Sequence, residues 1–190
     1  MLDYPWYTVV EGEELEQGDF IDNCSVVVPQ YTSLHFTEEN TLDNRLVHQI
    51  EGVVEVYDVI IVNQSCDLEN NKLDYVIMCP RWSCRDYAEV NEEFKKLDKL
   101  EQIRQGKQHR YVMLNQSELD ILTYEIQIVD LSMVFSVPYD ALKQIAKSNG
   151  RRLRLLSPYK EKLAQSFAYY YMRIALPNDI PRFEKRKESR

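Results

Sequence analysis

Tyr57-Asp58-Val59-Ile60-Ile61-Val62 is the stretch on which the fold turns. So continuous an apolar run predicts a central β-strand covered on both faces. The polar stretch Asn63 to Lys72 then predicts a connection to the next strand. Working outward, β-branched and aromatic segments bounded by polar clusters predict strands at Tyr7 to Val10, Phe20 to Val28, Val53 to Val62 and Leu73 to Cys79, the last ended by Pro80. Beyond them, strands are expected at Arg110 to Leu114, Glu125 to Val129 and Met133 to Val137.

Between Asp86 and Gln105 the apolar period changes from two to about 3.6. Val90, Phe94, Leu97, Leu100 and Ile103 fall on one stripe and Gly106 is a natural stop, so one amphipathic helix is expected there. A second, Tyr139 to Ser148, follows Pro138 and closes at Asn149-Gly150. The last is the clearest: Ser157 caps it, Pro158 opens it, and Leu163, Phe167, Tyr170, Tyr171 and Ile174 form a wide face directed at the body. These elements predict one domain over residues 1–181, with Arg182 to Arg190 as a mobile basic tail.

A chain of 190 residues, 44% hydrophobic and 28% charged, is globular in composition and long enough to bury a core without disulfides or a structural metal. No apolar run of membrane-spanning length occurs, and the start lacks the cationic and apolar regions of a signal peptide, so a cytoplasmic location with four reduced cysteines is expected. Five scattered glycines exclude a GxGxxG turn and a Walker A loop, and HExxH, GxSxG and EF-hand patterns do not occur. Rossmann enzymes, nucleotide hydrolases, zincins and serine hydrolases of the usual forms lose their support, and no cofactor is expected.

Charge is distributed unevenly within the net −8: ten acidic residues precede the first basic one, Arg45, whereas from Gly150 onward eleven basic residues face four acidic ones. Two readings follow. Either the two ends attract each other in the fold, or they present separate acidic and basic surfaces to partners.

Gln17-Gly18-Asp19-Phe20-Ile21, then Asp58 to Leu68, then Tyr75 to Pro80, resembles the core of MazF/PemK-like small barrels. The resemblance implies an α+β fold built on an SH3-like small β-barrel, with an inserted amphipathic helix and a C-terminal helix. That family cleaves RNA with an Arg before the central strand and a Ser or Thr after it. Ser65 stands at the second position, but Glu55 to Asp58 occupies the first, so the cation that would stabilise developing phosphate charge is missing there. Arg45 is the candidate substitute. A second likeness spans most of the chain. The loop Gln64-Ser65-Cys66-Asp67-Leu68, Val129-Asp130-Leu131-Ser132, and the closing SPYxxxLxQxFAxxxMRxxLP pattern resemble a group of bacterial proteins, some encoded near phage-defence or mobile-element genes.

Candidate catalytic residues are thus Ser65, Cys66, Asp67 and Arg45. As a nucleophile Cys66 needs a base to form thiolate, with only His35, His48 and His109 available; the structural alternative is a turn in which Ser65 and Asp67 cap backbone amides. Cys79 and Cys84 are spaced at the long end of a zinc knuckle, and buried thiols are the alternative, so no metal is assigned. Asp58, Asp67, Glu69 and Asp74 gather around one loop, as acid/base machinery or as solvated surface. Candidate binding residues are Glu13, Glu14 and Glu16 in the acidic third and Arg151, Arg152 and Arg154 in the basic one, where neighbouring tyrosines would suit RNA. The leading expectation is a protein-binding component of a bacterial conflict or phage-defence system, with a protein partner. The alternative is a MazF-like endoribonuclease, with RNA on the basic C-terminal region. Neither reading requires a membrane, and both leave homodimerisation open.

Overall fold

The computed structural model describes residues 4–30, 41–42, 45–46, 52–70, 72–119 and 122–172. In chain order these form β1 (Tyr7–Val10), β2 (Phe20–Pro29), β3 (Thr41–Leu42), β4 (Arg45–Leu46), β5 (Gly52–Ile61), α1 (Ser65–Glu69), β6 (Tyr75–Ser83) and α2 (Cys84–Val90). There follow a 3-10 turn (Glu92–Lys95), α3 (Leu97–Arg104), β7 (Tyr111–Leu114), β8 (Ser117–Leu119), β9 (Leu122–Tyr124) and β10 (Gln127–Asp130). The chain continues as β11 (Phe135–Pro138), α4 (Tyr139–Asn149), β12 (Arg152–Leu155) and α5 (Tyr159–Tyr171). The class is α+β, as expected. The basic tail from Arg182 lies outside the described residues.

The main sheet is antiparallel, ordered β2-β5-β6-β10-β7, with β11 also on β6. At its centre β5 alternates as its sequence demands. Val59 and Ile61 enter a core with Ile21, Cys24, Val26, Met78 and Leu142, covered by α4. Ile60 and Val62 enter a second core with Phe20, Cys79, Leu153, Leu155 and Leu163, covered by the β1–β12 pair and α5. All three residues Val59, Ile60 and Ile61 are fully buried, which is the two-sided strand expected of the run.

Closure into a small barrel is not seen among the described residues. On one side β2 pairs with β5; on the other, the residues just before β2 meet β12 through the bridge between Asp19 and Arg154 and the Leu155 amide on the Gly18 carbonyl (3.0 Å), without a ladder between the two strands, and β7 pairs only with β10.

Three expectations are corrected by the structure. Pro80 does not end its strand. On the edge away from β5, β6 pairs with β11 up to Met78 and with β10 from Arg81, so the missing N–H of Pro80 falls at a break between two ladders. The single helix from Asp86 to Gln105 is three short pieces, interrupted where Asn91 and Lys96 are extended. Asn91 turns its side chain back to accept the Glu93 amide at 3.2 Å, which favours starting a new turn over continuing the old one. Phe94 and Ile103 are buried with Tyr87, Tyr111 and Ile128, but Val90 and Leu97, beside the breaks, are exposed. Finally, the connection after β5 contains the short helix α1, which drives Leu68 into the first core.

The closing helix follows its pattern in part: Ser157 does not cap it but donates its hydroxyl to the Glu161 carboxylate at 2.6 Å, Pro158 stands at the cap position without a side-chain bond, Tyr171 is exposed, and Ile174 lies outside the described residues. Leu163, Phe167 and Tyr170 belong to the second core, and Tyr159 stacks on Trp6 with ring centroids 3.7 Å apart. Within the described residues it ends at Tyr171. No helix among the described residues is long and apolar enough to cross a membrane.

Candidate functional site

The two-long-strand ribbon of β2 and β5 is built from one register, interrupted once. Ile21 pairs with Val59 and Cys24 with Tyr57, so β2 carries one extra residue, and Asn23 takes a left-handed φ of 51° there. Such a bulge re-aims side chains. Here it brings the Asn23 amide to the Asp58 carboxylate (2.9 Å) and sets Asp22 against the guanidinium of Arg81, an ion pair across β2 and β6.

Arg81 closes the second core at its end. Its side chain is 1% exposed, and the guanidinium carbon lies 4.3 Å from the Phe20 ring centre and 4.9 Å from that of Tyr124. Besides Asp22 it donates to Gln127 Oε1 at 2.9 Å, and Tyr124 donates to the same Asp22 at 2.5 Å. Its Nε is buried with no hydrogen-bond partner among the described residues. Burial pushes the guanidinium down to about 10, opposed by Tyr124 and Tyr7, so it stays charged near neutrality. An open cavity of about 610 Å³ lies beside it, lined by Tyr57, Asp58, Asp86, Tyr124 and Glu125 among others. Within that lining Arg81 is held by Asp22 and Arg85 by Glu125, which among the described residues leaves Asp58 and Asp86 as the acids without a cation. The recess can hold a cationic or amide group; its own guanidinium is committed to the fold.

Beyond the recess the same sheet face runs bare. Val27 pairs with Val54 and Ser25 with Val56, and directly opposed residues share a face. Val27 is 71% exposed, Val54 62% and Val56 58%, whereas Cys24 and Val26, pointing the other way, are buried. Among the described residues no strand pairs with the outer edge of β2 from Cys24 to Pro29.

The loop singled out by sequence is placed elsewhere. Ser65 Oγ accepts the Gln17 amide at 3.2 Å and donates weakly to Glu16 at 3.5 Å, while the Gln17 side chain donates to the Val62 carbonyl at 2.9 Å. It does bond a backbone amide, though one 48 residues away rather than in its own turn. Cys66 is exposed, with Sγ 3.7 Å from Gln64 Oε1 and 3.9 Å from Asp67 Oδ1. Among the described residues no histidine is brought to it: His109 packs against Tyr169, and His35 and His48 lie outside the described residues. Arg45 starts β4, and its side chain is likewise outside what is described. Burial pushes Cys24 and Cys84 up to about 11 and Cys79 up to about 12, which keeps all three as thiols. Among the described residues no three His, Cys, Asp or Glu side chains group as metal ligands would.

The acidic and basic residues meet each other. Arg152, 3% exposed, donates to Asp19 at 3.0 Å and to the carbonyls of Gly12 (2.8 Å) and Glu14. Arg154 binds Asp19 (2.9 Å), Glu16 and the Glu14 carbonyl (3.0 Å); burial alone would lower its value, but Asp19, Glu16 and Glu14 raise it above the ordinary one. Glu13 faces Lys147 at 3.4 Å and Lys160 lies 3.8 Å from Glu16. Of the two readings of the charge asymmetry, attraction between the ends accounts for these residues. Arg152, read as a partner contact, is instead enclosed, because β12 lays it across Asp19. Arg151 remains exposed, and so does the Glu14 side chain. Gly18 makes the seam possible: it has φ +84°, its amide donates to the Ile61 carbonyl at 2.9 Å, and a Cβ there would stand 2.7 Å from that of Leu155.

Val129-Asp130-Leu131-Ser132 is also structural. Asp130 accepts the Ser132 amide (2.9 Å) and hydroxyl (2.7 Å) and pairs with Arg110 at 2.6 Å. No known family model matches this chain, and no curated protein does. Sequence reasoning missed Asp22, Arg81 and Tyr124, because the signal is a buried Arg whose partners stand 59 residues before it and 43 after it.

Proposed function

We propose that this chain works by binding a protein, as a component of the bacterial conflict or phage-defence setting implied by its resemblance, and that the partner docks on the β2–β5 ribbon. The observation that carries this reading is the exposed valine face beside an edge of β2 that no strand among the described residues pairs with. Open strand edges are normally short, charged or covered, and an apolar one is a template for strand addition. Asp58 and Asp86, uncountered in the adjoining recess, select a partner segment that is apolar and then basic.

The alternative, metal-free RNA cleavage by Ser65 with Arg45 on a MazF-like barrel, is weighed down by the hydroxyl's engagement with Gln17 and Glu16. Capture from host cells with tagged wild type, Val27→Lys/Val54→Glu and Ser65→Ala decides between them. Loss of a stoichiometric partner in the valine variant alone supports the reading. Retention of every partner there, together with loss of RNA cleavage on Ser65→Ala, overturns it.

A further inference from the structure

The closing helix has two working faces. Leu163, Phe167 and Tyr170 enter the second core. Lys162, Gln165, Ser166 and Tyr169, at i, i+3, i+4 and i+7, form another face. Lys162, Gln165 and Tyr169 are themselves exposed, but the turn carrying Gln108 and His109 stands beside them, and between the two lies a partly open recess of about 300 Å³, within the range of small-molecule sites. Gly106, at φ +71°, starts that turn after α3. The His109 and Tyr169 rings meet edge to face, 4.7 Å between centroids, across the two walls. Gln108 is held in place, donating to Gln102 at 2.7 Å and accepting from Lys99 at 3.5 Å.

The chemistry of this lining departs from that of the chain. The sequence has 31 carboxylates against 23 Lys and Arg, yet no lining residue is acidic. Lys162 lines the cavity with no ion pair among the described residues. Around it are two carboxamides, a hydroxyl and three flat rings, those of His109, Tyr111 and Tyr169. A lone ammonium in an acid-free recess favours an anion; tyrosine rings beside amides favour a planar, hydrogen-bonding ring.

We propose that this cavity binds a nucleoside phosphate, the base stacked on Tyr169 with Gln108 and Gln165 within reach of its edge, and the phosphate on Lys162. It shares no residue with the docking ribbon, so it stands or falls independently of the partner reading. The same nucleotide unit comes from two sources, a free mononucleotide or a single RNA strand, and the test separates them.

Nucleoside monophosphates, inorganic phosphate, adenosine and a short single-stranded oligoribonucleotide are titrated against the full chain, followed by heteronuclear NMR and calorimetry. Shifts of the 106–111 and 162–169 amides with monophosphates, and much weaker ones with phosphate or adenosine alone, are expected. Equal saturation by mononucleotide and oligomer assigns a free ligand; tighter binding of the oligomer assigns RNA, and either supports the site. Tyr169→Ala should weaken binding roughly ten-fold, the size of one base–aromatic stack. Gln165→Glu, a solvent-side change that puts a carboxylate beside Lys162, should weaken it further while the fold is kept, as checked by circular dichroism. Absence of binding by any nucleotide, or binding that both variants leave unchanged, overturns the proposal.

Discussion

Two regions of this molecule treat exposure in opposite ways. At the seam between the chain's ends, Asp19, Glu16, Arg152 and Arg154 are gathered into a neutral, largely buried network. On the β2–β5 ribbon, Val27, Val54 and Val56 are left in the open. Charged residues lie inside and apolar ones outside, the reverse of what side-chain type alone indicates. The difference is one of partners: each charge in the seam has a counter-charge, and the two guanidiniums donate to backbone carbonyls as well, whereas the valine face has nothing over it among the described residues.

The seam is where the contrast can be broken hardest. Asp19→Ala strands the Arg152 guanidinium in the interior, and removing one member of a buried pair costs about 3–5 kcal/mol. A urea midpoint should fall accordingly, and Asp19→Leu/Arg152→Met, which removes both charges, should recover most of the loss. If the single variant unfolds no earlier than wild type, the network is not what joins the ends. Gly18→Ala is next, since its φ and the 2.7 Å approach of Leu155 both oppose a Cβ; about 1–3 kcal/mol is expected, read as a lowered melting temperature.

Acid sharpens the picture in a smaller way. Burial alone would raise the Asp130 carboxyl, but Arg110 and the Ser132 hydroxyl and amide hold it below its ordinary 3.8. A depressed carboxylate contributes stability that is complete above its unfolded value and is lost as pH falls through the folded one. Wild type should therefore lose stability below about pH 4 more steeply than Asp130→Asn, as acid titrations of both would show. Least of all should the ribbon respond. Val27→Thr/Val54→Thr should change stability by under about 1 kcal/mol, measured by the same urea titration, while weakening capture of the partner. A larger loss would mean those valines pack against part of the chain.

How much of this could be read in the sequence follows from how local each cause is. The central strand was legible because its apolar run and its two-sided burial are the same fact. So was the buried face of α5, whose Leu163, Phe167 and Tyr170 lie within eight residues, though the cap expected of Ser157 does not form. Arg-Leu-Arg-Leu at 152–155 was not legible as a strand, since the burial of Arg152 depends on Asp19, 133 residues away. The helix from Asp86 to Gln105 failed for the opposite reason: Phe94, Leu100 and Ile103 of its stripe do pack inward, but the side chain of Asn91 competed locally with the backbone ladder and Val90 and Leu97 beside the breaks are exposed. The exposed valine face was hidden because valines in a strand read as core, and only the assembled sheet shows which of them lack a cover among the described residues. Residues picked out as motifs in the sequence are joints in the structure: Gly18-Asp19, Ser65 and Tyr159 all tie distant segments together.

The pairing of β1 with β12 also has a consequence in time. Tyr7 lies opposite Leu155, so on the ribosome the first strand must wait for nearly the whole sheet to be made, on the order of 10–30 s at ordinary rates of synthesis. Through that interval the emerging segment carries only negative charge as far as Asp43. Self-repulsion then keeps the waiting strand soluble and apart from its neighbours on other ribosomes, until Arg152 and Arg154 arrive to neutralise it and draw the sheet shut.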